Sequence, residues 1–261
     1  MQNYIFYRDL QNNSYFCKSE MHHYALIGRR LGHSYSQRWF EAKFKSLGLT
    51  DCFYRLHEME SLDDLRGWVE HEGIEGFNVT VPFKQEIIPL LDGLDETAAA
   101  IGAVNCVTVR QGHLVGHNTD APAFRDTLPS EGFSEAYILG TGGAASAVGY
   151  ALRQVGVPFL FVSRNPKGSN QIGYAQLAAR RFSRPVLFVN ATPLGMYPDI
   201  DSTPLPAFRF SPEIFVYDLT YNPSPTRLMR EAAACGATVK DGLEMLRRQA
   251  ELSWSLYTSK V

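Results

Sequence analysis

The sequence predicts an α/β protein of two domains, and three observations predict it. At 261 residues the chain is long for one domain and short for three. From about residue 136, strand-like and helix-like patterns alternate strictly, which implies parallel β-α-β units with helices on both faces of a sheet. Before residue 120 the pattern is less regular, with strands and helices mixed with a hairpin. The composition is that of a globular protein, with 45% apolar and 20% charged residues.

Taken in order, residues 24–27 read as a strand, 28–33 as a Gly-rich loop and 37–47 as a helix ended by Gly48. Trp39, Phe40, Lys43, Phe44 and Leu47 give that helix one amphipathic face. Residues 52–56 form a second strand. Ser61 is expected to cap a helix that holds Asp63 and Asp64 in its first turn, where negative charge suits the dipole, and that stops near Gly73. Residues 76–81 form a third strand running into Pro82, which opens a short helix over 83–91. Residues 96–101 are a further short helix, and 103–110 with 114–117 a hairpin about Gln111-Gly112. Residues 120–128 read as helix and 129–134 as a turn. Then come strands over 136–139, 158–162, 186–189, 214–218 and 237–240, and helices over 143–155, 173–182 and 224–234. Residues 243–260 are the final helix. Trp39, Trp68 and Trp254 fall on apolar helical faces and are expected in the core.

Several function classes are excluded. A net charge of −2 argues against a surface that wraps duplex nucleic acid. No apolar run approaches the roughly 18 residues of a spanning helix, so no membrane partner is expected. Cys17, Cys52, Cys106 and Cys235 are scattered and form no C-x-x-C pair, as in reduced cytoplasmic proteins. The first 20 residues are polar, lack a signal-peptide core and differ in character from the residues after Met21. Residues 1–20 are therefore expected to be an N-terminal extension dispensable for activity.

The strongest motif begins at Gly140. Strand 136–139 leads into Gly140-Thr141-Gly142-Gly143-Ala144-Ala145 and then a helix, which is G-x-G-x-x-A in strand–turn–helix context. Gly140 allows the tight turn, Gly142 lets the backbone approach a pyrophosphate, and Ala145 allows close helix–strand packing. The helix N-terminus, with Gly143 and Ala144, supplies N–H groups and positive potential for phosphates. This marks a Rossmann-like, dinucleotide-binding domain. An NAD site would place Asp or Glu at the end of the next strand, whereas here that strand ends in Ser163-Arg164-Asn165-Pro166-Lys167. Arg164 and Lys167 would attract a 2′-phosphate, so the cofactor is expected to be NADP.

Upstream, three polar clusters sit at strand ends, where α/β folds collect ligands. They are His33-Ser34-Tyr35-Ser36, Asn78-Val79-Thr80-Val81-Pro82-Phe83-Lys84, and Asn105 with Gly116-His117-Asn118-Thr119-Asp120. Hydroxyls, amides, a lysine and an aspartate suit a small polyhydroxylated anion. The three histidines His22, His23 and His33 are not read as a metal site, and His33 is expected to fix the serine loop.

At this point the chain resembles the shikimate dehydrogenase family. The resemblance rests on His33-Ser34-x-Ser36, Asn78-Val79-Thr80-x-Pro82-x-Lys84, Gly102-Ala103-Val104-Asn105, Asn118-Thr119-Asp120, Gly140-x-Gly142-Gly143-Ala144, Asn190-Ala191-Thr192 and Gly242-x-x-Met245-Leu246-x-x-Gln249-Ala250. These motifs run in family order over about residues 24–258. The resemblance implies reversible NADPH-dependent reduction of 3-dehydroshikimate to shikimate, in aromatic amino-acid biosynthesis. It implies Lys84 and Asp120 as the catalytic pair, with Asp120 holding the lysine and a substrate hydroxyl. Ser34 and Ser36 match carboxylate binders; Thr80, Asn105 and Gln249 match ligands of ring hydroxyls; Asn78 matches a substrate-site residue that supports the lysine loop. Tyr221 resembles a tyrosine lining the substrate–nicotinamide cleft. Met196 and Gly242 resemble residues beside and behind the nicotinamide, and Thr192 belongs with the cofactor binders. Lys84 as general acid and Lys84 as electrostatic, positioning group both remain open.

The chain departs from the family pattern at Gln37, where proline is usual, at Cys106, where threonine is usual, and at Ser163-Arg164-Asn165 in place of Asn-Arg-Thr. The last change keeps the arginine and loosens the expected grip on a 2′-phosphate. The implied architecture is a substrate domain over 21–118, completed by the C-terminal helix 242–261, and a Rossmann-like domain over 119–241, with the site in the cleft between them. A monomer or homodimer is expected. Rival readings are quinate dehydrogenase, methylene-tetrahydrofolate dehydrogenase and a non-catalytic NADP sensor. Both serines favour shikimate over quinate by resemblance, the polar clusters disfavour a pterin, and a sensor has no need of Lys84 and Asp120 together.

Overall fold

The structure, a computed structural model, describes residues 4–8, 15–19, 21–32, 34–130 and 132–259. His33 and the expected extension outside 4–8 and 15–19 lie outside the described residues. In chain order the elements are β1 (Tyr4–Arg8), β2 (Tyr15–Ser19), β3 (His22–Gly28), α1 (Tyr35–Leu47), β4 (Cys52–Glu58), α2 (Leu65–His71) and β5 (Ile74–Val79). They continue with α3 (Phe83–Glu86), β6 (Gly93–Leu94), α4 (Glu96–Ile101), β7 (Cys106–Arg110), β8 (His113–His117) and α5 (Asp120–Thr127). Next are β9 (Glu135–Leu139), α6 (Gly143–Gln154), β10 (Phe159–Ser163), β11 (Gln171–Gly173), α7 (Tyr174–Ala178) and β12 (Val186–Asn190). The chain closes with β13 (Ile214–Asp218), α8 (Arg227–Ala234), β14 (Thr238–Lys240) and α9 (Leu243–Thr258).

The chain divides into two compact units: 1–94 with 104–117 and 254–261, and 95–103 with 118–253. These boundaries differ from the expected ones, because α4 and most of α9 group with the second unit. The reason is packing: Ile101 of α4 and Met245 and Leu252 of α9 join a core shared with α5 and α6.

In the first unit, six strands form a mixed sheet in the order β4-β3-β5-β7-β8-β6. β3 runs parallel to β4 and β5, β5 antiparallel to β7, and β7 antiparallel to β8. β1 and β2 form a separate antiparallel ribbon with Tyr4 opposite Ser19, within a segment that carries no strand expectation. Helix α1 turns Ser36, Phe40 and Phe44 inward at four-residue spacing, while Leu47 is 51% exposed, so its buried stripe is narrower than the sequence pattern. Phe40 stacks on Tyr54 at 4.1 Å and Tyr24 on Tyr257 at 5.0 Å, so aromatic faces carry much of this core. Trp68 is buried as expected, whereas Trp39 and Trp254 are only half-buried.

The second unit is a parallel sheet in the order β11-β10-β9-β12-β13-β14. Its central strands β9, β12 and β13 are buried on both faces, which explains their continuous apolar runs. In β9, Ala136 and Ile138 face one core while Tyr137 and Leu139 face the other. β12 divides in the same way, Leu187 and Val189 against Val186 and Phe188. Each such Val, Leu, Ile or Phe side chain contributes about 1.5–3 kcal/mol when fully buried. Chain order reverses at β9 and β12, the topological switch point at which doubly wound folds bind ligands.

Local expectations fail where side chains compete with the backbone. The helix expected from Ser61 starts instead at Leu65 and has no acid in its first turn. The Ser61 hydroxyl donates to the Asp63 carboxylate at 2.7 Å, a local turn that takes both groups out of helix capping. The helix expected over 83–91 stops after Glu86 and continues as a 3₁₀ turn over Ile88–Leu90, because Pro89 has no N–H to donate. The helix expected to reach 182 ends at Ala178. The two- and three-residue strands β6 and β11 are too short to leave a periodic signal.

Candidate active site

The first unit gathers four of the expected residues. β5 ends with Asn78, the chain passes through Thr80 and Pro82, and α3 carries Lys84 in its first turn. Thr80 N–H donates to Ile27 O at 2.9 Å, Val79 N–H to Asn105 O at 2.9 Å, and Val104 N–H to Lys84 O at 2.7 Å. Neighbouring segments therefore hold the lysine-bearing loop at three points. Gly28 makes room for it, since a Cβ there would lie 2.6 Å from the Thr80 methyl.

Asn78 is the buried centre of this arrangement. Its Oδ1 accepts from Tyr54 Oη at 2.8 Å and Tyr257 Oη at 3.0 Å, and its Nδ2 donates to Asn105 O at 3.1 Å. Burial pushes both phenols well above their ordinary pKa, so they stay protonated donors. With both lone pairs of Oδ1 taken, Asn78 supports the loop and Asn105 rather than presenting that oxygen to a ligand. Sequence reasoning missed Tyr54 and Tyr257, whose role comes only from tertiary pairing across 24 and 179 residues.

Ser34 and Ser36 belong to a separate element. Ser34 is the N-cap of α1, its Oγ accepting from Ser36 N–H at 3.2 Å, and Ser36 is buried in the first turn. Two hydroxyls at a helix N-terminus suit a carboxylate.

In the second unit, Asp120 opens α5 and is buried, where its charge suits the helix N-terminus. The preceding Asn118 caps this turn, accepting from Ala121 N–H at 3.1 Å and donating to Ala103 O at 2.8 Å. Thr119 Oγ1 donates to Gln249 Oε1 at 3.5 Å, which brings α9 beside the Asp120 turn. Gln249 Nε2 donates to Leu246 O at 3.0 Å and keeps a second proton for another acceptor.

The cofactor motif takes the expected form. Gly140 has φ 110°, a conformation that favours glycine, and a Cβ there would lie 3.2 Å from both Ala191 O and the Thr192 methyl. The loops after β9 and β12 thus meet at the switch point. Gly142 is the N-cap of α6, and a Cβ there would meet nothing within 4 Å. Gly143 and Ala144 begin α6, Ala145 is fully buried, and one turn on, a Cβ on Gly149 would lie 3.0 Å from the Phe159 and Phe161 rings. This cradle with its exposed N–H end fits a pyrophosphate.

β10 ends at Ser163, whose Oγ accepts from Asn165 N–H at 3.2 Å, and no carboxylate follows. Arg164 and Lys167 are exposed on the loop before β11, with Lys167 N–H held by Gln171 Oε1 at 2.9 Å. Two cations and no acid at this strand end fit a 2′-phosphate.

Thr192 donates through Oγ1 to Asn190 Oδ1 at 2.7 Å, and Met196 is 40% exposed on the same loop. Tyr221 is half-buried just after β13. Gly242 N–H donates to Thr220 O at 3.1 Å, and a Cβ on Gly242 would overlap the Leu219 carbonyl. Among the described residues, no group of three or more His, Cys, Asp or Glu could hold a metal ion, and no helix is long and apolar enough to cross a membrane.

Residues 26–107 match the family model described as the shikimate dehydrogenase substrate binding domain. The shikimate dehydrogenase (NADP(+)) of Moorella thermoacetica is 36% identical over 261 residues, covering 90% of this chain and 88% of its own length. The crystal structure of shikimate 5-dehydrogenase from Thermus thermophilus in complex with NADP(H) and shikimate has a TM-score of 0.80 and 34% identity, covering 92% of this chain and 95% of that one. Quinate dehydrogenase from Corynebacterium glutamicum, in complex with NAD, has a TM-score of 0.77 and 28% identity, with coverage of 91% and 94%.

Proposed function

The chain belongs to the shikimate dehydrogenase family, and from that premise we propose how its own residues carry the reaction. The protein is an NADP-dependent oxidoreductase acting on a CH–OH group, interconverting 3-dehydroshikimate and shikimate in aromatic biosynthesis. The observation that carries the assignment of roles is the lysine loop: Lys84 stands in α3, just after β5, on a stretch tied to Ile27, Val104 and Asn105.

The nicotinamide, when bound, supplies or accepts the hydride. Gly140, Gly142, Gly143 and Ala144 would hold the pyrophosphate. Arg164 and Lys167, with Ser163 and Asn165, would hold the adenosine 2′-phosphate. Thr192, Met196 and Gly242 would line the nicotinamide end.

As a ketone is reduced, negative charge builds on its oxygen. Lys84 donates a hydrogen bond to that oxygen and delivers its proton; in reverse it takes the proton from the shikimate hydroxyl. Asp120 accepts from a neighbouring ring hydroxyl and keeps the reacting carbon in register. Ser34 and Ser36 donate to the substrate carboxylate. Thr80, Asn105, Gln249 and Tyr221 hold the remaining ring face, and Asn78 keeps the lysine loop in place through Asn105. No membrane or nucleic-acid partner enters this reading, and the chain works as a monomer or homodimer in the cytoplasm.

The test is a set of steady-state rates with shikimate and quinate, each offered NADP+ and NAD+. Shikimate with NADP+ is expected to give the highest kcat/KM. A second reading, quinate with NAD, is favoured by the Corynebacterium glutamicum neighbour. A higher kcat/KM for that pair would replace the first reading.

A further inference from the structure

Asp218 is a buried carboxylate to which the proposed chemistry gives no part. It ends β13 with no accessible surface, and burial pushes its carboxyl up from the ordinary value against the pull of its donors. Taking a carboxylate out of water costs several kcal/mol unless hydrogen bonds compensate it, so its donors matter.

The donors come from three different segments. Asn190 Nδ2 reaches Oδ1 at 3.0 Å, Thr220 N–H reaches the same oxygen at 3.0 Å, and Thr226 Oγ1 reaches Oδ2 at 2.7 Å. Each leads onward. Asn190, its amide fixed by Asp218, presents Oδ1 to both the Thr192 N–H at 3.1 Å and the Thr192 hydroxyl at 2.7 Å. Its Nδ2 also reaches Leu194 O at 3.3 Å, and Thr192 Oγ1 accepts from Leu194 N–H at 3.3 Å. The Thr220 carbonyl in turn accepts from Gly242 N–H. Thr226 instead caps α8, accepting from Met229 N–H at 3.2 Å.

We propose that Asp218, acting through Asn190, is the positioning residue that sets the Thr192–Met196 loop for the nicotinamide end of the cofactor. An Asn amide can turn over by half a rotation at little cost in shape. Asp218 accepts only, so it admits one orientation, with Nδ2 inward and Oδ1 toward Thr192. The loop is thereby fixed before any ligand arrives, which lowers the ordering cost of binding. The Thr226 hydroxyl is structural and runs to α8, while its methyl, 3.7 Å from where a Cβ on Gly195 of this loop would lie, is kept in Thr226→Val. The proposal rests on the reading that Thr192 and Met196 line the cofactor, and its test separates the two.

Four variants are compared with wild type in NADP+ titrations, and amide hydrogen exchange of residues 192–196 is followed without ligand. Asp218→Ala is expected to raise the NADP+ dissociation constant about tenfold, the effect of losing a charge-assisted hydrogen bond, and to speed loop exchange. Asp218→Asn keeps one oxygen for Asn190 and Thr220, so it should restore most of the affinity. Thr226→Val should lower the melting temperature without moving the dissociation constant. If Asp218→Ala does not fold, Asn190→Ala removes the same contact to Thr192 without touching α8. Wild-type affinity and wild-type loop exchange in Asp218→Ala or Asn190→Ala would overturn the proposal. So would a Thr226→Val variant that loses as much affinity as Asp218→Ala. Should wild type itself bind no NADP+, the cofactor reading falls, while loop exchange still decides the role of Asp218.

Discussion

The Tyr257 hydroxyl donates to Asn78 Oδ1 at 3.0 Å, which ties the last turn of α9 to the strand that leads into the lysine loop. Tyr54 donates to the same oxygen at 2.8 Å, so the buried acceptor is satisfied twice. Tyr257→Phe and Tyr54→Phe are each expected to lower stability by about 1 kcal/mol. The double variant leaves a buried oxygen without either donor, so its loss should exceed the sum of the two. Urea unfolding of all three checks this, and strict additivity would contradict the shared-acceptor account.

Gly242 has no room for a side chain against the Leu219 carbonyl. Gly242→Ala must push the start of α9 away from β13, with an expected cost of about 1–3 kcal/mol. NADP+ affinity should fall with it, since Gly242 is assigned to the nicotinamide end. Thermal unfolding and an NADP+ titration on the same sample measure both.

Arg164 stands exposed at the end of β10 where an NAD site would carry an acid. Arg164→Ala is expected to raise KM for NADPH about 10- to 100-fold, the worth of a charge-assisted contact to phosphate. KM for NADH should change little. Equal effects on both nucleotides would remove the 2′-phosphate role.

Lys84→Ala is expected to lower kcat by about 10²- to 10⁴-fold, as loss of a proton-transferring group does. Its carbonyl, not its side chain, makes the bond to Val104, so the urea midpoint should stay near that of wild type. A collapse of stability in step with activity would make the lysine structural.

Asp92 supplies a pH dependence of known sign. A hydrogen bond from Arg66 at 2.7 Å, then one from Leu114 N–H at 2.7 Å, holds its carboxyl below the usual carboxylate range. A depressed folded value means stability that is present above the unfolded pKa and lost as pH falls through the folded one. Asp92→Asn should therefore flatten the acid side of the stability profile and leave the alkaline side unchanged. Urea unfolding from neutral to acid pH checks it.

Where the sequence was legible, one local pattern decided the outcome. Gly140 and Gly142 between an apolar strand and a helix predict the phosphate loop, because the turn and close approach need those residues whatever the rest of the chain does. The polar residues Thr80, Lys84 and Asn105 were visible at strand ends, but spacing alone gave them no role, and only the family resemblance did. The two tyrosines on Asn78 were not, since no periodicity relates positions 54, 78 and 257. The Asn190–Asp218 pair was hidden likewise: each closes an apolar strand and reads alone as a turn residue. Ser61 misled because a hydroxyl beside two acids predicts a cap, while Asp63 took that hydroxyl for itself. The domain boundary was misplaced because Met245 and Leu252 give no sign in sequence of which core they join.

The most direct test follows the hydride itself. Purified protein is given 3-dehydroshikimate and NADPH carrying deuterium at both positions of the nicotinamide C4, so that either face delivers label, and the product is analysed by mass and NMR. The account predicts shikimate with deuterium on the carbon that bore the ketone. Unlabelled shikimate, or no shikimate despite bound NADPH, would contradict it.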